Sequence, residues 1–131
     1  AALFDVGCLD AIRMETTTNG VPNIPEFGTV TKEDEFHGLL AMSAYSHVQD
    51  GTAYPAVLLS HGINDPRVEP WMSAKTCARL QAATTSSKPV LFRVDYHAGH
   101  GIGSTKDQVQ ASLADKWSFL LWQCGAVGFQ P

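Results

Sequence analysis

Pro55-Ala56-Val57-Leu58-Leu59-Ser60-His61-Gly62-Ile63-Asn64-Asp65 opens with a near-continuous apolar run and closes on a polar turn that carries an acid. A run of that kind, without alternation, is what a strand needs when helices cover both of its faces, as in a parallel sheet. Pro89-Val90-Leu91-Phe92-Arg93-Val94 repeats the pattern. Between the two runs, Pro70 suits a first helical turn, and Trp71, Ala74, Cys77 and Ala78 recur at helical spacing as far as Ala82. The reading is a strand-helix-strand crossover that makes the two runs parallel neighbours.

Downstream, Thr105-Lys106-Asp107-Gln108 fits a capping box. Val109, Leu113, Trp117, Leu120 and Cys124 then form one apolar stripe ending before Gly125, so a last helix is expected to pack on the sheet through that stripe. Upstream, the apolar stretch Ala1 to Val6, closed by Gly7, reads as a third, buried strand. From Gly7 to Gly51 the pattern is irregular, with turn signals between Met14 and Pro25 and a helix start at Thr31-Lys32-Glu33-Asp34-Glu35. Such a long excursion is expected to lie over the strand ends and to cover something there. With no internal repeat, low-complexity tract or linker, residues 1–131 read as one unit of α/β class, three parallel strands with flanking helices.

Composition narrows the function classes. At 131 residues, 44% hydrophobic and 17% charged, the chain fits one ordinary globular domain. Its nine basic residues are scattered through a chain of net charge −4, which leaves no stripe to neutralise phosphates, so no nucleic-acid partner is expected. No window approaches the roughly 20 apolar residues of a membrane helix, so no membrane partner is expected either. Cys8, Cys77 and Cys124 are odd in number and lack CxxC spacing, and read as buried thiols rather than a disulfide framework or a zinc site.

Two motifs carry chemistry, Asn64-Asp65-Pro66-Arg67-Val68 after one strand and His97-Ala98-Gly99-His100-Gly101 after the next. Parallel sheets display their chemistry in loops beyond the carboxyl ends of the strands, where an acid and a base from neighbouring strands can converge. In a Ser-His-Asp hydrolase the carboxylate fixes the imidazole tautomer and the imidazole moves the proton of the nucleophile. The α/β-hydrolase order is nucleophile, acid, histidine, and no serine here stands in a G-x-S-x-G elbow, so the nucleophile is expected upstream of Ala1. Asp65 read alone could also simply organise a turn. His97 is the rival base, and its H-x-x-H spacing with His100 lacks a third ligand, so no metal is expected. His37, His47 and His61 read as surface or satisfied core residues, and Trp71, Trp117 and Trp122 as core.

Ser60-His61-Gly62-Ile63-Asn64-Asp65-Pro66-Arg67-Val68, the Ala74-Lys75 and Ala78-Arg79-Leu80-Gln81 segments of the following helix, and Ala98-Gly99-His100-Gly101 together resemble the C-terminal part of the catalytic domain of prolyl oligopeptidases. The resemblance spans nearly the whole chain. It implies a partial α/β-hydrolase fold, a serine peptidase acting on short peptides without metal or organic cofactor, Asp65 as triad acid and His100 as triad base. It also implies that Arg67 binds a substrate carbonyl and that Val68 and Phe27 line the pocket for a proline side chain. Asn23 stands where the family commonly has a tryptophan stacking on that ring, which argues against strict prolyl preference. The expected partners are a short peptide and the upstream remainder of the polypeptide, with self-association of the 131-residue piece, which by itself should not turn over peptide. An esterase or aminoacyl-peptidase activity, or a non-enzymatic α/β module, would keep the same fold.

Overall fold

The computed structural model describes residues 1–101 and 104–131. Its centre is a parallel sheet in the order β1 (Ala2–Asp5), β2 (Val57–Gly62), β3 (Val90–Asp95). Val57 pairs with Val90 and Gly62 with Asp95, while Asp5 pairs with Ser60, so the carboxyl ends of all three strands lie together. Helix α4 (Pro70–Ala83) connects β2 to β3, and α5 (Lys106–Gln123) follows β3. The excursion between β1 and β2 holds α1 (Ala11–Met14), α2 (Ile24–Phe27) and α3 (Glu33–Met42), with short 3₁₀ turns at Val21–Asn23 and Ala44–His47.

Alternation along β2 distributes the core. Val57 and Leu59 pack with Leu9, Cys77, Leu80 and Val90 on the α4 face. Ala56 and Leu58 pack with Phe119 and Trp122 on the α5 face. β2 is buried along its whole length, as its continuous apolar run demands. A third cluster, Ala11, Met14, Leu39 and Met72, sits beneath the excursion. Polar ties hold that long segment in place. The Glu15 carboxylate accepts from Val30 N and Thr29 Oγ1 at 2.8 and 2.9 Å, and buried Asp10 accepts from Lys75 of α4. The Lys75 ammonium in turn lies 3.9 Å from the centre of the Tyr45 ring.

Several sequence expectations change. β1 is half-exposed rather than buried, because it pairs on one side only, with β2, and its Leu3 and Phe4 reach solvent. Helix α4 spans the expected residues but buries a different face, Met72, Ser73, Thr76, Cys77, Leu80 and Ala83, while Trp71, Ala74 and Ala78 are exposed. The buried hydroxyls explain the rotation: Ser73 bonds a histidine and Thr76 bonds the Met72 carbonyl at 2.7 Å, so polar side chains sit comfortably inside.

Helix α5 begins with the expected capping box, in which Thr105 N–H donates to Gln108 Oε1 at 2.7 Å and Gln108 N–H to Thr105 Oγ1 at 3.2 Å. Its sheet-facing side is nonetheless turned away from the predicted stripe. Val109, Leu113 and Trp117 are exposed, and Phe119 and Trp122 make the apolar contact. Ion pairs Lys116–Asp5 at 2.7 Å and Arg93–Asp115 at 2.6 Å run from the helix to the outer strands. Of the three tryptophans only Trp122 joins the core. Of the cysteines only Cys77 is buried: Cys8 stands in the segment after β1 and Cys124 caps the exposed end of α5.

Candidate active site

β2 and β3 end level with one another, and the turns that follow are laced together. Ile63 N–H donates to the Asp95 carbonyl at 2.9 Å, and Asn64 N–H to the Ala98 carbonyl at 3.1 Å. The lacing requires a glycine. A Cβ on Gly62 would lie 2.3 Å from the Gly99 oxygen and 2.5 Å from the Ala98 oxygen, so any larger residue would push the histidine loop off the strand. Gly101, at φ +86°, then turns the chain away directly after His100.

This arrangement brings the two expected side chains together. His100 Nδ1 lies 2.8 Å from Asp65 Oδ2. An ionised carboxylate only accepts, so Nδ1 is the protonated nitrogen and Nε2 is left as the basic atom. Asp65 Oδ1 accepts from the amides of Arg67 and Val68 at 2.8 and 3.0 Å, which clamps the carboxylate from the opposite side. Burial pushes the Asp65 carboxyl up, but the Val68 and Arg67 amides and the neighbouring His100 outweigh it and hold the acid below its ordinary range. The carboxylate therefore stays charged beside an imidazole whose side chain is 24% exposed. His97 is exposed, and its backbone N–H donates to Asp95 Oδ1 at 2.9 Å.

His100 stands between two hollows. One, of about 330 Å³, is walled by Phe27, Arg67, Val68, Met72, Cys8 and Met14, and so collects the three pocket residues expected from the sequence. Arg67 is exposed at its edge, and the nearby Glu69 carboxylate accepts from Thr18 Oγ1 at 3.2 Å. Asn23 also lines this hollow, with its Nδ2 donating to the Asn19 carbonyl at 2.8 Å. Partial loss of hydration against this wall, then the Asp10 carboxylate, pushes the Cys8 thiol up, so it stays protonated. The other hollow, of about 260 Å³, lies toward Asp5, Ser60, Val109 and Leu113. Cys8, Met14 and Met72 were not foreseen, since they come from irregular chain and from the rotated face of α4.

Residues 1–126 match the model of the prolyl oligopeptidase family. The chain belongs to the prolyl oligopeptidase family. It is 36% identical over 121 residues to a prolyl endopeptidase of Elizabethkingia meningoseptica, covering 92% of this chain and 17% of that protein. It is 34% identical over 127 residues to a dual function macrocyclase-peptidase of Amanita bisporigera, covering 95% of this chain and 17% of that protein. Among solved structures, prolyl oligopeptidase B from Galerina marginata, bound to a 35mer hydrolysis and macrocyclization substrate, superposes with a TM-score of 0.87 at 30% identity, over 95% of this chain and 18% of that one. The three-stranded sheet and its helices are thus part of an α/β-hydrolase fold. The chain spans about a sixth of the length of these prolyl oligopeptidase relatives, which are serine peptidases.

Proposed function

We propose that residues 1–131 are the C-terminal portion of the catalytic domain of a prolyl-oligopeptidase-like serine endopeptidase, supplying the acid and the base of its triad. The observation that carries this reading is the 2.8 Å contact between His100 Nδ1 and Asp65 Oδ2 at the mouth of a hollow edged by Arg67. His100 Nε2 takes the proton of a serine contributed from upstream of residue 1, then returns it to the leaving amine. Asp65 holds the imidazole in the tautomer that can do so and stabilises the imidazolium. Arg67 anchors a peptide carbonyl, and Phe27 and Val68 flank the side chain that precedes the scissile bond. With Asn23 in place of a large stacking ring, proline is accepted there without being required. No step calls for a metal or an organic cofactor.

The substrate is a short peptide, and the first partner is the upstream remainder of the same polypeptide. The half-paired β1 and the exposed Val109, Leu113 and Trp117 support that partner, because unpaired strand edges and apolar helix faces favour association. Separated from it, the 131-residue chain self-associates and does not turn over peptide.

Hydrolysis of a blocked proline-containing chromogenic peptide by the polypeptide from the complete reading frame tests the reading. His100→Ala should lower kcat by something on the order of 10⁵ to 10⁶. Undiminished hydrolysis by that variant would sink the assignment. An esterase or aminoacyl-peptidase is separated by Arg67→Ala, which weakens kcat/KM on peptides and spares small esters.

A further inference from the structure

We infer that His61 is a positioning residue for the Asp65–His100 pair, an inference that rests on the function proposed above. His61 follows Val57 and Leu59 on the α4 face of β2, one alternation short of the strand end, and its side chain is wholly buried. An imidazole placed in an apolar layer is costly unless both nitrogens find partners. Both do. Nε2 lies 2.9 Å from the Val68 carbonyl, and Nδ1 lies 2.8 Å from Oγ of Ser73, itself fully buried on α4. A carbonyl can only accept, so in the neutral ring Nε2 carries the proton and the Ser73 hydroxyl donates to Nδ1.

That tautomer presents the polarised Nε2–H 3.3 Å from Asp65 Oδ2, the oxygen that receives His100. Val68 is meanwhile gripped at both ends of its residue: its N–H donates to Asp65 Oδ1 at 3.0 Å and its carbonyl accepts from His61. His61 thereby ties the acid turn to the middle of the sheet and, through Ser73, to α4. The other charged or titratable groups around the pair are Arg67 on the acid turn and Cys8 after β1, both beside the 330 Å³ hollow. Asp5, Arg93, Asp95 and Lys116 border the hollow on the far side of His100, from β1, β3 and α5. Among the described residues, the side chains that pair with the Asp65 carboxylate are those of His100 and His61. Without His61 the carboxylate keeps its two amide bonds but loses the neighbour that fixes Oδ2 and the Val68 carbonyl, and the imidazole it orients loses its aim.

The test uses the polypeptide from the complete reading frame. His61→Leu should lower kcat per folded molecule by about 10²-fold with KM unchanged, the penalty expected for a misaimed catalytic group. His61→Gln, whose amide can still donate toward the Val68 carbonyl and Asp65, should recover kcat to within about tenfold of the original. In an Asp65→Asn background, His61→Leu should cost little more, because the group it positions is already lost.

Wild-type kcat in folded His61→Leu, or an equal loss in the Asp65→Asn background, overturns the inference. If His61→Leu does not fold, Ser73→Ala decides: a lower kcat at constant KM supports it, and a wild-type kcat overturns it. Should Asp65→Asn and His100→Ala themselves stay active, it is the triad assignment that fails. If both are inactive while His61→Leu is normal, only the role of His61 fails.

Discussion

Asp95 closes β3 and Asp65 stands three residues beyond the adjacent β2, and both fold their turns with the same device, yet only one of them meets the histidine. Asp65 Oδ1 accepts from the amides two and three residues on, at 2.8 and 3.0 Å. Asp95 Oδ1 accepts from the amides of His97 and Ala98, again two and three residues on, at 2.9 and 3.0 Å. Local chemistry is therefore the same, a carboxylate mimicking a backbone turn. What differs is the second oxygen. In Asp65 it is buried against His100 and His61, whereas Asp95 is half-buried at the edge of the 260 Å³ hollow. The turn is encoded within a few residues, and the contact with His100 comes from what the rest of the fold lays beside it.

The sharpest way to break that comparison is to make one substitution at both sites. Asparagine keeps the Oδ1 acceptor, so both turns survive. At position 65 the new NH₂ confronts His100 Nδ1 and forces the wrong tautomer, so Asp65→Asn should lower kcat on the order of 10⁴-fold. At position 95 no histidine ring depends on the carboxylate, and Asp95→Asn should leave kcat within a few-fold of the original. Steady-state kinetics of the polypeptide from the complete reading frame on the peptide substrate read both, and comparable losses would erase the distinction.

A second test addresses how closely the two turns must approach. The Cβ of Gly62→Ala would meet two backbone oxygens at 2.3 and 2.5 Å, groups that cannot swing aside. The Cβ of Gly99→Ala would meet the nearest atom, the Asn64 oxygen, at 3.3 Å, a contact that a small shift relieves. Overpacking against backbone should cost Gly62→Ala about 3 kcal/mol of unfolding free energy, and Gly99→Ala about 1 kcal/mol. Urea titration measures both. Equal costs would mean that the acid side does not set the spacing.

The parts of this arrangement that could be read from sequence are those whose signals are local. The near-continuous apolar runs of β2 and β3, the proline that starts α4 and the Thr105-Gln108 box that starts α5 each act over a few residues, and each stands where it was expected, although β3, at the sheet edge with Leu91 exposed, is not covered on both faces as its run suggested. Which face a helix buries is a different matter. Ser73 is buried against His61 of β2 and Thr76 bonds back to the Met72 carbonyl of its own helix, while α5 turns Phe119 and Trp122 to the sheet and leaves Trp117 exposed; none of this is written in an apolar stripe. Asp65 and His100 could be read as strand-end residues able to meet, and through a likeness of motif. His61 was read as an ordinary core or surface histidine, and its contact with Asp65 depends on side chains from a strand, a turn and a helix at once. Cys8, Met14 and Met72 reach the hollow only through the tertiary path of the excursion.

The smallest expected effect concerns acid stability, and it isolates the Asp65 turn from the rest of the molecule. Asp65 has a lower pKa folded than unfolded, where an aspartate titrates near 3.9, so the folded state binds fewer protons than the unfolded one as pH falls. A depressed carboxylate contributes stability that is fully present above the unfolded value and is lost as pH drops through the folded value. Below about pH 4 the melting temperature should therefore fall. Two other acids share that direction, half-buried Glu35 beside Lys32 and the Thr29 amide, and exposed Asp50 beside Arg79. At the surface such pairs contribute little. Asp65→Asn should accordingly flatten the acid limb of the melting curve more than Glu35→Gln or Asp50→Asn. Melting temperatures recorded from pH 6 to pH 3 give the comparison, and a limb unchanged by Asp65→Asn would show that the clamp of amides on its Oδ1 does not hold the carboxylate below its ordinary range.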